Sequence, residues 1–187
     1  MEYYKTIKLN DGRTCILRNC TSNDGKAVLE VFSLTHEQTD WMQTYPEEMT
    51  FTAEQEGKFL QERADSADEI ELLAEIDGKV VGTAGISCVG RREKLKHRAE
   101  FGIGIDRAYW GFGIGHALTE ACIECAEAAG YAQLELDVTA ENERAIALYK
   151  KAGFVEFGRN PLGFSTREGG WQELVLMRRV LSGGNKE

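Results

Sequence analysis

The sequence predicts a single-domain α/β fold, a mixed sheet with helices packed against it. Three observations carry that expectation. The chain has 187 residues, the length of one ordinary domain, and no internal repeat or low-complexity linker divides it. Segments with the two-residue period of strands alternate with segments at helical spacing, in the order β-β-α-α-β-β-β-α-β-α-β-β. Hydrophobic residues make up 42% of the chain and charged residues 28%, so a core can form and disorder is excluded as the main state.

Tyr3 to Leu9 and Thr14 to Arg18 flank Asn10-Asp11-Gly12, a hairpin signal because these turn residues tolerate positive φ. Thr21 or Ser22 can cap a helix whose Ala27, Val28, Val31 and Phe32 recur at helical spacing. A second helix begins near Thr52, with Glu54 and Glu56 in its first turn and Phe59 and Leu60 on its buried face. Ile70 to Ile76 and Lys79 to Ser87 read as strands joined by Asp77-Gly78. Another strand, His97 to Ile105, runs into Gly111-Phe112-Gly113-Ile114-Gly115. The helix that follows carries Ile114, Ala117, Leu118, Ala121, Cys122, Cys125 and Ala126 on one face and ends at Gly130. Leu134, Leu136 and Val138 alternate as a strand. Asn142 to Lys151 form a short helix closed by Gly153, and Val155 to Phe157 and Gln172 to Met177 complete the sheet. The domain is expected over residues 1–181, with a frayed tail over 182–187.

Charge narrows the function classes. Lys and Arg number 22 against 31 Asp and Glu, a net charge of -9. That balance argues against a nucleic-acid binder and against docking on an anionic membrane. The one basic stretch, Arg91 to Arg98, contains Glu93 and reads as a solvated loop between strands. No apolar run approaches the roughly 20 residues that span a bilayer, and the opening MEYYKTIKLNDG lacks the apolar stretch of a signal peptide. Five cysteines, an odd count, fit reduced thiols in a cytoplasmic protein.

A strand, a glycine-rich turn and a helix build an anion site, because the first N–H groups of a helix lack internal partners. The spacing Gly111-x-Gly113-x-Gly115 is not the dinucleotide pattern GxGxxG. A triphosphate loop needs Gly-Lys-Ser/Thr, and neither Gly57-Lys58 nor Gly78-Lys79 continues that way. CoA remains. His97 to Ile105 (HRAEFGIGI) followed by Tyr109 to Leu118 (YWGFGIGHAL) resembles the acyl-CoA-binding core of the GNAT N-acetyltransferase superfamily. Asn142 to Phe154 (NERAIALYKKAGF) is similar to that family's second signature, an Asn seven residues before a Tyr and then Gly-Phe. One departure stands out: the family places Arg or Gln where this chain has Trp110.

The resemblance implies a mostly antiparallel sheet, with the acyl-CoA site where strand, glycine loop and helix meet. It implies that the N–H groups of Gly111, Phe112, Gly113, Ile114, Gly115 and His116 cradle the CoA pyrophosphate. Ile103, Gly104 and Ile105 would pair with the pantetheine arm like a neighbouring strand, and Asn142 would bond the pantetheine or nearby backbone. Acetyl transfer needs a neutral amine, donors for an oxyanion and a proton for the leaving thiolate. Tyr149 is placed by the resemblance to give that proton. Glu100 is the base candidate, acting through a water, with a surface ion pair as its plainer reading.

Cys122-x-x-Cys125 falls on the apolar helix face, where core packing is the better reading. His36, His97 and His116 show no ligand spacing, so no metal is expected. The segment Leu34 to Phe51 would border the acceptor cleft, and the loop Arg159 to Gly170 would form a second, mobile wall. The favoured function is acetyl-CoA-dependent transfer to a primary amine on a small molecule or peptide, without a covalent enzyme intermediate. A non-catalytic CoA-binding module on the same fold is the alternative, since fold does not dictate chemistry. Longer acyl groups and hydroxyl acceptors stay open. Relatives in this family often pair, so a homodimer is compatible with the resemblance.

Overall fold

At the Asn10-Asp11-Gly12 turn, Gly12 takes a φ of 87°, and strands β1 (Tyr4–Lys8) and β2 (Thr14–Asn19) pair antiparallel around it. The computed structural model describes residues 1–184. Six further strands follow: β3 (Ile70–Ile76), β4 (Lys79–Cys88), β5 (Arg98–Ile105), β6 (Gln133–Thr139), β7 (Val155–Ser165) and β8 (Trp171–Val180). They form one sheet in the order β1-β2-β3-β4-β5-β6-β8-β7. Neighbouring strands run antiparallel except β5 and β6, whose parallel ladder holds three pairs only: Arg98 with Gln133, Ala99 with Leu134 and Glu100 with Glu135. Arg98 clamps that ladder through two bonds to the Glu135 carboxylate, one of them from Nη2 at 2.6 Å.

Strand alternation sends side chains to two separate cores. On one face Ile70, Leu72, Ile86 and Phe101 pack with helix α3 (Ile114–Ala128) through Ile114, Leu118, Ala121, Cys122 and Cys125, and with Tyr149 of helix α4 (Glu143–Lys151). On the other, Leu73 and Val80 pack with Val28 and Val31 of helix α1 (Gly25–Gln38) and Leu60 of helix α2 (Ala53–Asp65). Burial pushes the Cys125 thiol up to about 11 and Cys122 well above its usual value, as suits packing residues.

Thr52 starts α2 with a reciprocal cap. Its Oγ1 accepts from the Gln55 N–H at 3.2 Å, while Gln55 Oε1 accepts from the Thr52 N–H at 2.9 Å. Thr52→Ala is expected to cost about 1 kcal/mol. A urea titration checks this: the midpoint falls while the slope stays constant.

The structure corrects two expectations. The last two strands are longer than Val155 to Phe157 and Gln172 to Met177, so most of the loop expected from Arg159 to Gly170 is strand, leaving a turn after Ser165. Asn160-Pro161 and Gly158 look like loop punctuation. They are accommodated because β7 is an edge strand, with register shifts at Glu156/Gly158 and Asn160/Phe164. Residues 34–38 of the expected acceptor loop belong to α1, which runs on to Gln38, and Pro46–Glu48 form a short 3₁₀ turn. Apart from these, Ser182–Gly184 form a 3₁₀ turn, and residues 185–187 of the expected tail lie outside the described residues. Among the described residues no helix is long and apolar enough to cross a membrane.

Candidate active site

Beyond Glu100 and Glu135 the strands β5 and β6 no longer pair, and a cavity of about 840 Å³ opens at the split. Ile103, Gly104 and Ile105 line it from β5. They are registered with Ala84, Thr83 and Gly82 of β4 on their other side, so backbone groups that turn away from β4 face the cavity. Leu136 to Val138 line it from β6, and Asn142, Leu148 and Tyr149 from α4 and its cap.

The glycine loop closes one end. Gly111 and Gly113 sit at φ 89° and 96°, the left-handed region that glycine alone enters freely. Gly113 caps α3 without a side chain, so the first turn of a 15-residue helix is left open. Among the described residues, none of the six N–H groups from Gly111 to His116 finds an acceptor in the chain. Gly111, Gly113, Gly115 and His116 line the cavity, whereas the Phe112 and Ile114 side chains do not. Phe112 packs under the Arg13 guanidinium, 4.9 Å away, and Ile114 is buried, so these two offer main-chain groups only.

Two contacts brace the loop. Asn10 at the β1–β2 turn donates its N–H to the Phe112 carbonyl at 3.3 Å and its Nδ2 to the Gly111 carbonyl at 3.2 Å. Trp110 donates Nε1–H to the Ile105 carbonyl at 2.8 Å, bolting the loop to the end of β5. Its ring stacks on Trp41 at 6.1 Å and meets the Arg144 guanidinium at 5.0 Å. Trp110 thus holds the loop from within. Arg144 is the only Arg or Lys among the described residues lining the cavity.

Asn142 caps α4, its Oδ1 accepting from the Ala145 N–H at 3.1 Å, which leaves its Nδ2 free. Tyr149 is buried, its ring 6.0 Å from Phe101 edge-on and 6.0 Å from Phe154. Burial pushes its hydroxyl well above the usual phenol range, and among the described residues nothing bonds it. Glu100 is exposed on β5, registered with Ser87 and Glu135, and lies on the cavity wall. The sequence-nominated residues therefore meet in one cavity, with Phe112 and Ile114 entering through the main chain.

Trp41 comes from the Leu34 to Phe51 segment expected to border the acceptor cleft, whereas Asn10, Glu71 and Arg144 are lining residues that the sequence did not nominate. Asn10 reads as a turn residue and nothing more. Glu71 leaves a detectable signal, a carboxylate inside the otherwise apolar strand IELLAEI.

A family model described as the acetyltransferase (GNAT) family matches residues 32–154, more than half the chain. This chain belongs to the GNAT acetyltransferase family. The GNAT chain is 37% identical over 122 residues to the L-amino acid N-acetyltransferase AaaT of Escherichia coli, covering 64% of this chain and 74% of that protein. Over 81 residues it is 37% identical to the N-alpha-acetyltransferase RimI of Mycobacterium tuberculosis, covering 43% of this chain and 49% of the relative. A GNAT acetyltransferase structure from Streptococcus pneumoniae matches with a TM-score of 0.85 and 30% identity, over 89% of this chain and 99% of that one. The putative acetyltransferase yncA of Salmonella typhimurium, solved with its cofactor acetyl-CoA, shares the fold at a TM-score of 0.80 and 20% identity, over 90% of this chain and 94% of that one.

Proposed function

We propose that this GNAT protein is an acetyl-CoA-dependent N-acetyltransferase that moves the acetyl group directly to a primary amine. The six unbonded N–H groups of the Gly111–His116 loop, opening onto a cavity in a split sheet, carry this reading. They form a concave set of donors at a helix N-terminus, the arrangement that suits a pyrophosphate. Arg144 adds a positive charge beside the loop. The backbone edge of Ile103–Ile105, open except at the Ile105 carbonyl that Trp110 holds, suits the amides of a pantetheine arm, and the Asn142 Nδ2, unbonded among the described residues, offers a further donor.

Tyr149 holds its proton at neutral pH and faces the cavity, so it supplies the proton that a departing thiolate needs. Glu100 stands on the wall as the carboxylate that the sequence nominates to take a proton from the acceptor nitrogen through a water. The names of AaaT and RimI point to amine acceptors, which favours transfer to nitrogen.

Calorimetry with acetyl-CoA tests the first half. Binding in the micromolar range is expected, and no heat at millimolar ligand would remove the reading. Thiol release tests the second half. Tight binding without amine-dependent release would leave a CoA-binding module on the same fold.

A further inference from the structure

The face of the sheet that looks toward α1 and α2 carries a row running across three strands. Glu71 on β3 is registered with Gly85 on β4, and Gly85 with Gly102 on β5. Opposed residues share a face, so two missing side chains leave a trough beside the carboxylate. A Cβ built on Gly85 would collide with Glu71 Oε2, which places the carboxylate over the neighbouring strand. A Cβ on Gly102 would meet nothing within 4 Å. Strands lie about 4.8 Å apart, so the carboxylate stands about one strand spacing from Gly102, where β5 and β6 part.

Glu71 is also unclaimed. Among the described residues it makes no ion pair, and the nearby Arg63 of α2 pairs with Glu69 at 2.9 Å instead. A carboxylate inside an apolar strand costs desolvation, and here only the Thr83 hydroxyl and the Arg63 charge, without an ion pair, oppose it. Yet Glu71 lines the same cavity as Tyr149, from the opposite side of the sheet.

Resting on the acetyltransferase reading above, we propose that Glu71 binds the acceptor's ammonium over the Gly85–Gly102 trough and takes its proton, selecting a cationic primary amine without an adjacent carboxylate. The charges around the cavity support that class. Glu100 and Asp137 add negative charge, and the lone lining guanidinium, Arg144, stands beside the glycine loop. An α-carboxylate on the acceptor would face these acids without a cation to receive it.

The protons balance as follows. The ammonium gives one proton to the Glu71 carboxylate, and the neutral nitrogen forms a bond to the thioester carbon. The C–S bond breaks, the nitrogen loses its second proton to the water at Glu100, the thiolate takes one from Tyr149, which recovers it from water, and Glu71 releases its proton to solvent. Burial raises the Glu71 carboxyl to about 7, with Arg63 and the Thr83 hydroxyl opposing the rise and Glu56 adding to it. The other titratable groups facing this part of the cavity are Glu100 from β5 and His36 from α1, held below its ordinary value by burial; the buried Cys20 thiol, held far above its own, sits in the core on the α1/α2 side of the sheet.

The test uses n-butylamine as the probe. Calorimetry on protein saturated with CoA measures butylamine affinity for wild type and Glu71→Gln, and thiol release with acetyl-CoA is followed against pH. Glu71→Gln is expected to bind butylamine at least 10-fold more weakly while keeping its acetyl-CoA affinity. Its kcat/KM should fall roughly 100-fold, and the acid limb near pH 7 should vanish, because the base must be deprotonated to act. Glu100→Gln should retain that limb, and glycine, with its carboxylate, should replace butylamine poorly. Glu71→Gln with wild-type amine affinity and an intact acid limb overturns the proposal and leaves the transfer reading standing. A wild type that binds acetyl-CoA but neither binds nor acetylates butylamine overturns it equally. A wild type that fails to bind acetyl-CoA defeats the underlying reading instead.

Discussion

Tyr149→Phe is expected to release CoA thiol roughly 100-fold more slowly than wild type while binding acetyl-CoA equally well. The substitution removes one oxygen from a ring held between Phe101 and Phe154. The hydroxyl bonds nothing among the described residues, so its loss should cost less than about 1 kcal/mol of stability. What it removes is a proton. A phenol raised by burial stays protonated at neutral pH, whereas a departing thiolate, with an ordinary pKa of about 8.5, accepts one readily. Thiolates leave well unaided, which puts the effect at the lower end of general-acid losses. Steady-state thiol release at saturating acetyl-CoA and butylamine, with chemistry shown to limit the rate, measures it. Equal rates would make Tyr149 a packing residue.

Gly113→Val is expected to weaken acetyl-CoA binding about 100-fold with the fold intact. The obstacle is conformational. A Cβ at Gly113 would find Asn10 no nearer than 3.8 Å, so space exists, but a φ of 96° is strongly unfavourable for a β-branched residue. Valine pulls the loop toward negative φ and turns N–H groups of the Gly111–His116 set away from the pyrophosphate. Losing two charge-assisted bonds worth roughly 1.5 kcal/mol each gives that factor. Calorimetry reads the affinity and circular dichroism the fold; unchanged affinity would place the phosphate site elsewhere.

Much of this architecture was legible because its signals are local. Ile70–Ile76 begins and ends where alternation and Asp77-Gly78 say it should, and Thr52 caps α2 with Gln55 as its partner. The glycine loop and the Asn142–Tyr149 spacing announced themselves for the same reason: each is a short run whose geometry its own residues dictate. The second half of β7 was hidden because Pro161 and Gly158 carry loop signals that only an edge strand overrides. Asn10 reaches the site from a position about 100 residues before the loop that it touches. Glu71 acquires its setting from Gly85 and Gly102, a row that exists only once three strands are in register. Contacts assembled by register leave no mark on any single stretch of chain.

The three-pair ladder between β5 and β6 also makes the stiffness of the sheet uneven. Strands β1 to β5 form one plate and β6 to β8 another, each stitched by longer antiparallel ladders, and the two plates butt together at the shortest joint in the sheet. Thermal bending concentrates where the fewest bonds resist it. The Arg98–Glu135 clamp therefore works as a rivet at the closed end of a slot, and the open end is free to widen and narrow as a thin molecule threads through. Such a sheet can admit a long, slender ligand by flexing along one line.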